Sequence, residues 1–469
     1  MDNLAKKLIS VTPSKRQLEW HKLEFYSFIH FGMNTFYNTE WGTGKEDPKK
    51  FNPTKLDTDQ WVESLKNANI KAVILTCKHH DGFCLWPSKY TEHSIKNSPY
   101  KNGNGDIVKE LSNSCKKFGL KFGVYLSPWD MNSKYYGYNE EYNTFFKNQL
   151  TELLTQYGEI FSVWFDGACG EGENGKKQEY DWEGYYNLIR ELQPNACITI
   201  CGPDVRWCGN EAGDCREEEW NVVPARLSKS EIIQENSQKS DNEEFRERKI
   251  SSTDKILGTR ELLKNEENLI WYPCEVDTSI RKGWFYHKDE SPKELDKLLD
   301  IYYNSVGNNA TLLLNVPPNK DGLIDEQDVI RLKEIGEHLN NTFKNNIVNE
   351  AKIEVDFIDN NTNIYNILLE DDKFYKGIDN EETATIKFKF ENIKEIKTLV
   401  LKEHLPLSQR IEQFEIYANI NNTLINIYNG KIVGSRKICK LGNIKTNYIE
   451  IRILKSRVCP TLNFVGIYI

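Results

Sequence analysis

The sequence predicts an α/β chain: a (β/α)8-like (TIM) barrel followed by a smaller C-terminal β-sandwich. Three observations carry that expectation. Near-continuous apolar β-type runs alternate with helical patterns through the first two thirds of the chain, as in a parallel sheet covered on both faces. Aromatic and ionisable residues recur at the C-terminal ends of those runs, the end that forms the functional face of a barrel. Beyond about Asn345 the pattern changes to short alternating strands broken by Asn, Asp and Gly, the signature of a sandwich. At 469 residues the chain exceeds one ordinary core, so two domains are expected, residues 1–345 and 346–469.

The runs, in order, are FYSFIHFG (25–32), KAVILTCKH (71–79), LKFGVYLSP (120–128), FSVWFDG (161–167), ACITICG (196–202) and ATLLLNVPP (310–318), with CEVDTSI (274–280) as a weaker seventh. With fewer than eight in view, the ring is expected to be irregular or short of some helices. Helical patterns fall between them in LDTDQWVESLKNAN, DIVKELSNSCKKFG, YNTFFKNQLTELLTQYG and WEGYYNLIRELQP. Asp57 or Thr58 is placed to cap the first, and Gly119 and Gly158 to end the second and third. From about Asn210 to Asn268 the composition turns highly charged, and residues 228–267 read as a solvated insertion without chemistry of its own. AKIEVDFI, TATIKFKF, IKTLVLKEHL, IEQFEIYANI, TLINIYNG, YIEIRILKS and NFVGIYI supply the sandwich strands.

Composition narrows the function. A net charge of −9 argues against a phosphate-binding surface, hence against nucleic acid; a neutral or weakly polar substrate fits better. No run approaches the roughly 20 apolar residues of a membrane span, and MDNLAKKLIS has no long apolar core. Eleven cysteines, an odd number without framework spacing, read as free thiols in a reducing compartment. Cys201, Cys208 and Cys215, seven apart, match no zinc spacing. A cytoplasmic location is therefore expected, with secretion left open if a leader has been removed. Oligomeric state is not expressed in these features.

The chemistry concentrates at the strand ends. FSVWFDGACG is apolar through Val163, Trp164 and Phe165, then places a carboxylate at Asp166 before Gly167. Asp-Gly alone is a turn signal; at a barrel mouth the same aspartate is a candidate nucleophile toward a sugar's anomeric carbon. That reaction needs a second carboxyl group to protonate the leaving oxygen, and Glu40, Glu211 and residues 217–219 are the candidates. Glu211 lies in the glycine-rich CGPDVRWCGNEAG, with Arg206 and Trp207 just upstream, and glycines let such a loop fold close over a ligand. Residues 217–219 read as a solvated face. Glu40, in NTEWGTG, suits a hydrogen bond to a sugar hydroxyl, with Trp41 stacked on the ring. His30, His79 and His80 suit sugar hydroxyls or, with Asp81, a metal. Adjacent histidines on a strand point to opposite faces unless a bulge intervenes, which weakens the metal reading.

Together, FYSFIHFGMNTF, LTCKHHDGFCLWPS, GVYLSPWD, VWFDGA and CGPDVRWCGNEAG, in this order and spacing, resemble the α-L-fucosidases of glycoside hydrolase family 29 over about residues 12–340. They are most similar to the subfamily acting on α-1,3 and α-1,4 fucosyl branches, whose acid/base glutamate lies in a GNE-type loop as Glu211 does. RKGWFYH (281–287) and the barrel-to-sandwich junction are similar to that subfamily too. The resemblance implies Asp166 as nucleophile and Glu211 as general acid/base. It implies His30, His79, His80, Tyr125, Trp164 and Arg206 as contacts to fucose, with Glu40, Trp41 and Trp284 as secondary ones. It further implies retaining exo-hydrolysis of terminal fucose from branched, Lewis-type glycans by double displacement, with no cofactor and no metal. Glu211 should titrate above Asp166, with Arg206 opposing that rise.

The second domain resembles galactose-binding-like sandwiches. Residues 345–469 contain no Trp, so a packing role for it is expected ahead of glycan binding. A catalytically silent glycan-binding protein on the same scaffold is the alternative, and a metal-dependent hydrolase a more distant one. Both carboxylates stand in their matching motifs, which favours the enzyme.

Overall fold

In the computed structural model, which describes residues 3–248 and 257–469, eight parallel strands form the first sheet. They are β1 (Phe25–Ile29), β2 (Ala72–Lys78), β3 (Lys121–Leu126), β4 (Ser162–Phe165), β5 (Cys197–Ile200), β6 (Arg206–Trp207), β7 (Cys274–Ser279) and β8 (Thr311–Asn315). Their spatial order is β5-β4-β3-β2-β1-β8-β7-β6, and a parallel bridge from Thr199 to Val205 joins the two ends into a ring. β6 has only two residues and follows β5 with no helix between them. So short a strand has no period to read, which is why this stretch of the sequence reads as loop.

Helices Thr58–Asn67, Ile107–Phe118, Asn139–Gln156, Trp182–Leu192, Leu295–Ser305 and Glu326–Thr342 lie between or after the strands. Asp57 caps the first, its Oδ1 accepting from the Gln60 amide at 3.0 Å, and Asp106, Asp181 and Asp325 do the same for later ones. Apolar side chains on the outer faces of the strands meet these helices in one large core containing Trp61, Val73, Leu75, Phe146 and Phe165. Inside the ring, Tyr26, Phe28, Tyr125, Trp164 and Leu313 pack into a smaller one. Phe28 meets Trp164 edge to face with ring centroids 4.9 Å apart. Glu275 is buried within this plug and accepts from Trp164 Nε1 at 2.8 Å and from the Tyr26 hydroxyl. The barrel is filled below its mouth, as the layered interior of such folds requires. Among the described residues no helix is long and apolar enough to cross a membrane.

The C-terminal strands are β9 (Lys352–Val355), β10 (Ala384–Lys402), β11 (Ile411–Ile420), β12 (Thr423–Gly430), β13 (Lys437–Ser456) and β14 (Phe464–Tyr468), in the order β9-β10-β13-β11-β12 with β14 also on β10. TATIKFKF and IKTLVLKEHL, which read as separate strands, share the 19-residue β10. Register shifts between Lys389 and Lys394 and between Ile396 and Thr398 interrupt it. Its first part pairs with β9 and its second with β14, so one long strand serves two partners. At the seam with the barrel, Glu24 faces Lys402, Arg436 and Lys71. Burial opposes its ionisation, but those three cations hold its carboxyl well below the usual range.

Candidate active site

The C-terminal ends of the barrel strands surround a cleft lined by His30, Trp41, His79, His80, Tyr125, Trp164, Asp166, Trp207, Glu211, Asp277 and Trp284, among others. Of the site residues expected from the sequence, only Glu40 and Arg206 lie outside that lining.

Asp166 follows the last residue of β4 and keeps a quarter of its side chain exposed. Its Oδ2 accepts from the Tyr125 hydroxyl at 3.0 Å and its Oδ1 from the Ala168 amide at 2.8 Å. A Cβ on Gly167 would overlap the Ser237 hydroxyl. Glycine after the aspartate therefore lets the insertion close directly onto this turn.

The paired histidines both reach the cleft because the strand is interrupted beneath them. Thr76 pairs with Tyr125 and Lys78 with Leu126, leaving Cys77 as an extra residue. A turn closed by Gly82 N to His79 O follows, so His79 and His80 do not alternate across a sheet. His80 Nδ1 donates to Ser127 Oγ at 2.7 Å, which itself donates to Trp129 O, and His80 Nε2 stands 3.9 Å from Asp166. His30 Nδ1 donates to Asn315 Oδ1 at 2.8 Å. Burial lowers all three imidazoles: His30 to about 4, His79 well below its ordinary value with His80 and His30 adding, and His80 less, because Asp166 opposes. Three neutral rings suit uncharged hydroxyls. Asp81 instead turns its Oδ1 to the Phe83 amide, and among the described residues no three His, Cys, Asp or Glu side chains converge as a metal site.

Glu211 reaches the cleft as a half-buried side chain. Desolvation raises its carboxyl to about 7; Asp166 and Glu40 add to the rise, while the hydrogen bond from Trp284 and the charge of Arg246 oppose it. Trp284 Nε1 donates to its Oε2 at 2.9 Å. Arg206, expected to oppose this rise, pairs with Glu219 instead. Glu40 acts one step back from the cleft: its oxygens accept from the Trp284 amide (2.8 Å), the Phe285 amide (3.3 Å) and His287 Nε2 (2.6 Å). It braces the loop that carries Trp284.

Arg206 faces away from the cleft because neighbours on a strand point to opposite faces and Trp207 takes the inner one. Its Nε donates to Tyr272 O at 2.9 Å, and its guanidinium pairs with Glu219, which also binds Arg216 at 3.0 Å. Glu219, read in the sequence as part of a solvated face, is fully buried. Burial opposes its ionisation, but the two arginines hold it below its ordinary range. Replacing it leaves two buried cations without a counter-charge. Glu219→Ala is therefore expected to destabilise the fold by about 3–5 kcal/mol, read as a lower urea midpoint; a loss under about 1 kcal/mol would mean that the network is not holding this corner.

Other lining residues carry weaker sequence signals. Asp277, 3% exposed on β7, accepts from Trp207 Nε1 at 2.7 Å, and burial beside Glu211 and Glu275 pushes its carboxyl well up. Its signal lies in CEVDTSI, where Glu275 and Asp277 alternate on one face of a buried strand. Ser237, Gln238 and Phe245 also line the cleft, so the charged insertion is not merely solvated: it forms part of the wall.

Comparison with known proteins agrees with this geometry. The family model described as alpha-L-fucosidase matches residues 8–343. Alpha-L-fucosidase 1 of Arabidopsis thaliana is 39% identical, over 97% of this chain and 87% of its own. The structure of a Ruminococcus gnavus GH29 fucosidase in complex with fucose superposes with a TM-score of 0.84 at 30% identity, covering 98% of this chain and 95% of that one. A glycoside hydrolase 29 family member from an unknown rumen bacterium gives 0.79 at 34% identity, covering 98% and 77%. With its barrel, its cleft and these relatives in agreement, the chain belongs to the alpha-L-fucosidase family, glycoside hydrolase family 29.

Proposed function

We propose that this α-L-fucosidase is a retaining exo-enzyme that releases terminal α-1,3- or α-1,4-linked fucose from branched, Lewis-type oligosaccharides, with Asp166 as nucleophile and Glu211 as acid/base. The observation that carries the reading is the contrast between two carboxyl groups in one cleft. Asp166 is held by two hydrogen-bond donors, whereas desolvation raises Glu211 to about 7. Environments that separate two carboxyl groups in this way assign the anionic and the acidic role. Asp166 attacks the anomeric carbon from one face of the sugar as Glu211 gives its proton to the departing glycosidic oxygen. Glu211, now ionised, then takes a proton from water as that water attacks the same carbon and releases Asp166. Two inversions leave the configuration as it began.

The neutral imidazoles of His30, His79 and His80 suit the fucose hydroxyls, and Trp41, Trp164 and Trp284 offer rings to its apolar faces. The linkage preference rests on the resemblance of the Glu211 loop and of RKGWFYH to the branch-specific subfamily. The test measures fucose released from a Lewis-type trisaccharide and from 2′-fucosylated lactose, with the anomer first formed read by proton NMR. Release of α-fucose from the trisaccharide at a rate at least about tenfold higher is expected. First-formed β-fucose would sink the double displacement, and equal rates would sink the linkage preference.

A further inference from the structure

The fucose reaction leaves one wall of the cleft without a task. Trp207, from β6, and Phe245, from the insertion, both line it. Their rings are nearly parallel, 16° apart, with centroids separated by 6.1 Å. The guanidinium of Arg248 lies 4.0 Å from the Phe245 centroid and 5.4 Å from that of Trp207, and its Nε donates to the carbonyl of Gly209 at 2.8 Å. Trp207 is fixed from behind by its bond to Asp277. Two aromatic rings, an arginine and a buried carboxyl group thus join the insertion to the segment that carries Glu211.

That connection says which part of a substrate the wall meets. Glu211 gives its proton to the leaving oxygen, so side chains rooted beside Glu211 border the leaving group. Aromatic faces at a partly solvated mouth suit a ring with one apolar C–H face and a polar rim, which describes a pyranose. We propose that Trp207 and Phe245 form a leaving-group subsite that takes the apolar face of the sugar from which fucose is removed, and that Arg248 is the positioning residue tying this platform to the Gly209 carbonyl. The subsite rests on the fucosidase reading and adds to it the part of the cleft that distinguishes one fucoside from another. Contacts to the departing sugar raise kcat/KM only for substrates that carry it.

The experiment compares kcat/KM on a Lewis-type trisaccharide with kcat/KM on α-fucosyl fluoride, whose leaving group has no ring. For Phe245→Ala the ratio of the two is expected to fall about tenfold or more, as loss of one aromatic contact would give; Phe245→Tyr is expected to restore it, and Arg248→Met to lower it in the same direction. A Phe245→Ala ratio within about twofold of wild type would overturn the subsite, as would a fall that Phe245→Tyr fails to restore. A wild-type enzyme that releases no fluoride from fucosyl fluoride would strike at the fucosidase reading itself, and the subsite would fall with it.

Discussion

Asp166→Ala is expected to lower kcat by about 10⁴-fold or more, equivalent to roughly 5 kcal/mol of barrier. Glu211 and Asp277 are the other carboxyl groups among the described residues that line the cleft, and burial pushes both upward, which weakens either as a substitute nucleophile. The Tyr125 hydroxyl and the Ala168 amide, both directed at Asp166, would remain around the space that the carboxylate vacates. A small external anion such as azide should occupy that space and attack the anomeric carbon in its stead. The product would be β-fucosyl azide, the inverted anomer, since only one displacement takes place. Proton NMR of the product and initial rates at increasing azide concentration check both halves of the expectation. Residual turnover within tenfold of wild type, with no azide adduct, would remove Asp166 from the nucleophile's position.

The ring of strands is legible because buried parallel strands are apolar on both faces, so a polar residue at the end of such a run stands out against its context. Asp166 is the plainest case: three consecutive apolar residues followed by a charge carry their own question. Asp277 carries the same signal in weaker form, since acidic residues alternate through CEVDTSI, the least regular of the seven runs. Arg206 shows the limit of motif reading. It matches its motif in sequence, but a two-residue strand turns it outward to Glu219, and the facing of a side chain depends on a register that so short a strand does not announce.

The histidine pair shows the opposite. Strict alternation would have hidden one of His79 and His80, and a single extra residue at Cys77 with the turn after it presents both. The insertion hides its role for a physical reason as well. Its charge marks it as solvated on average, and charge density says nothing of the few uncharged residues, Ser237, Gln238 and Phe245, that it turns inward.

Replacing Glu211 should produce an effect that depends on the leaving group, which separates it from any general loss of structure. Glu211→Ala is expected to lower kcat/KM on the trisaccharide by about 10²–10⁴-fold, the range in which a positioned general acid contributes. On α-fucosyl fluoride the loss should be far smaller, because fluoride departs without a proton from the enzyme. The pH profile supplies an independent mark. In the proposed mechanism Glu211 must hold its proton for the first displacement, so wild-type activity is expected below its raised value of about 7 and should be lost as pH rises through it. That basic limb should appear on the trisaccharide, be absent for wild type on fucosyl fluoride, and vanish from the residual trisaccharide activity of Glu211→Ala, whereas an acid limb governed by another group should persist. Azide added to this variant meets a fucosyl group still bonded to Asp166 and should give α-fucosyl azide, the retained anomer and the opposite of the Asp166→Ala product. The donor that defines the site is Trp284 Nε1, 2.9 Å from Glu211 Oε2. An equal loss on both substrates, or a basic limb that survives the substitution, would give the acid's task to another carboxyl group, and Asp277, buried against the same loop through Trp207, would be the first to replace.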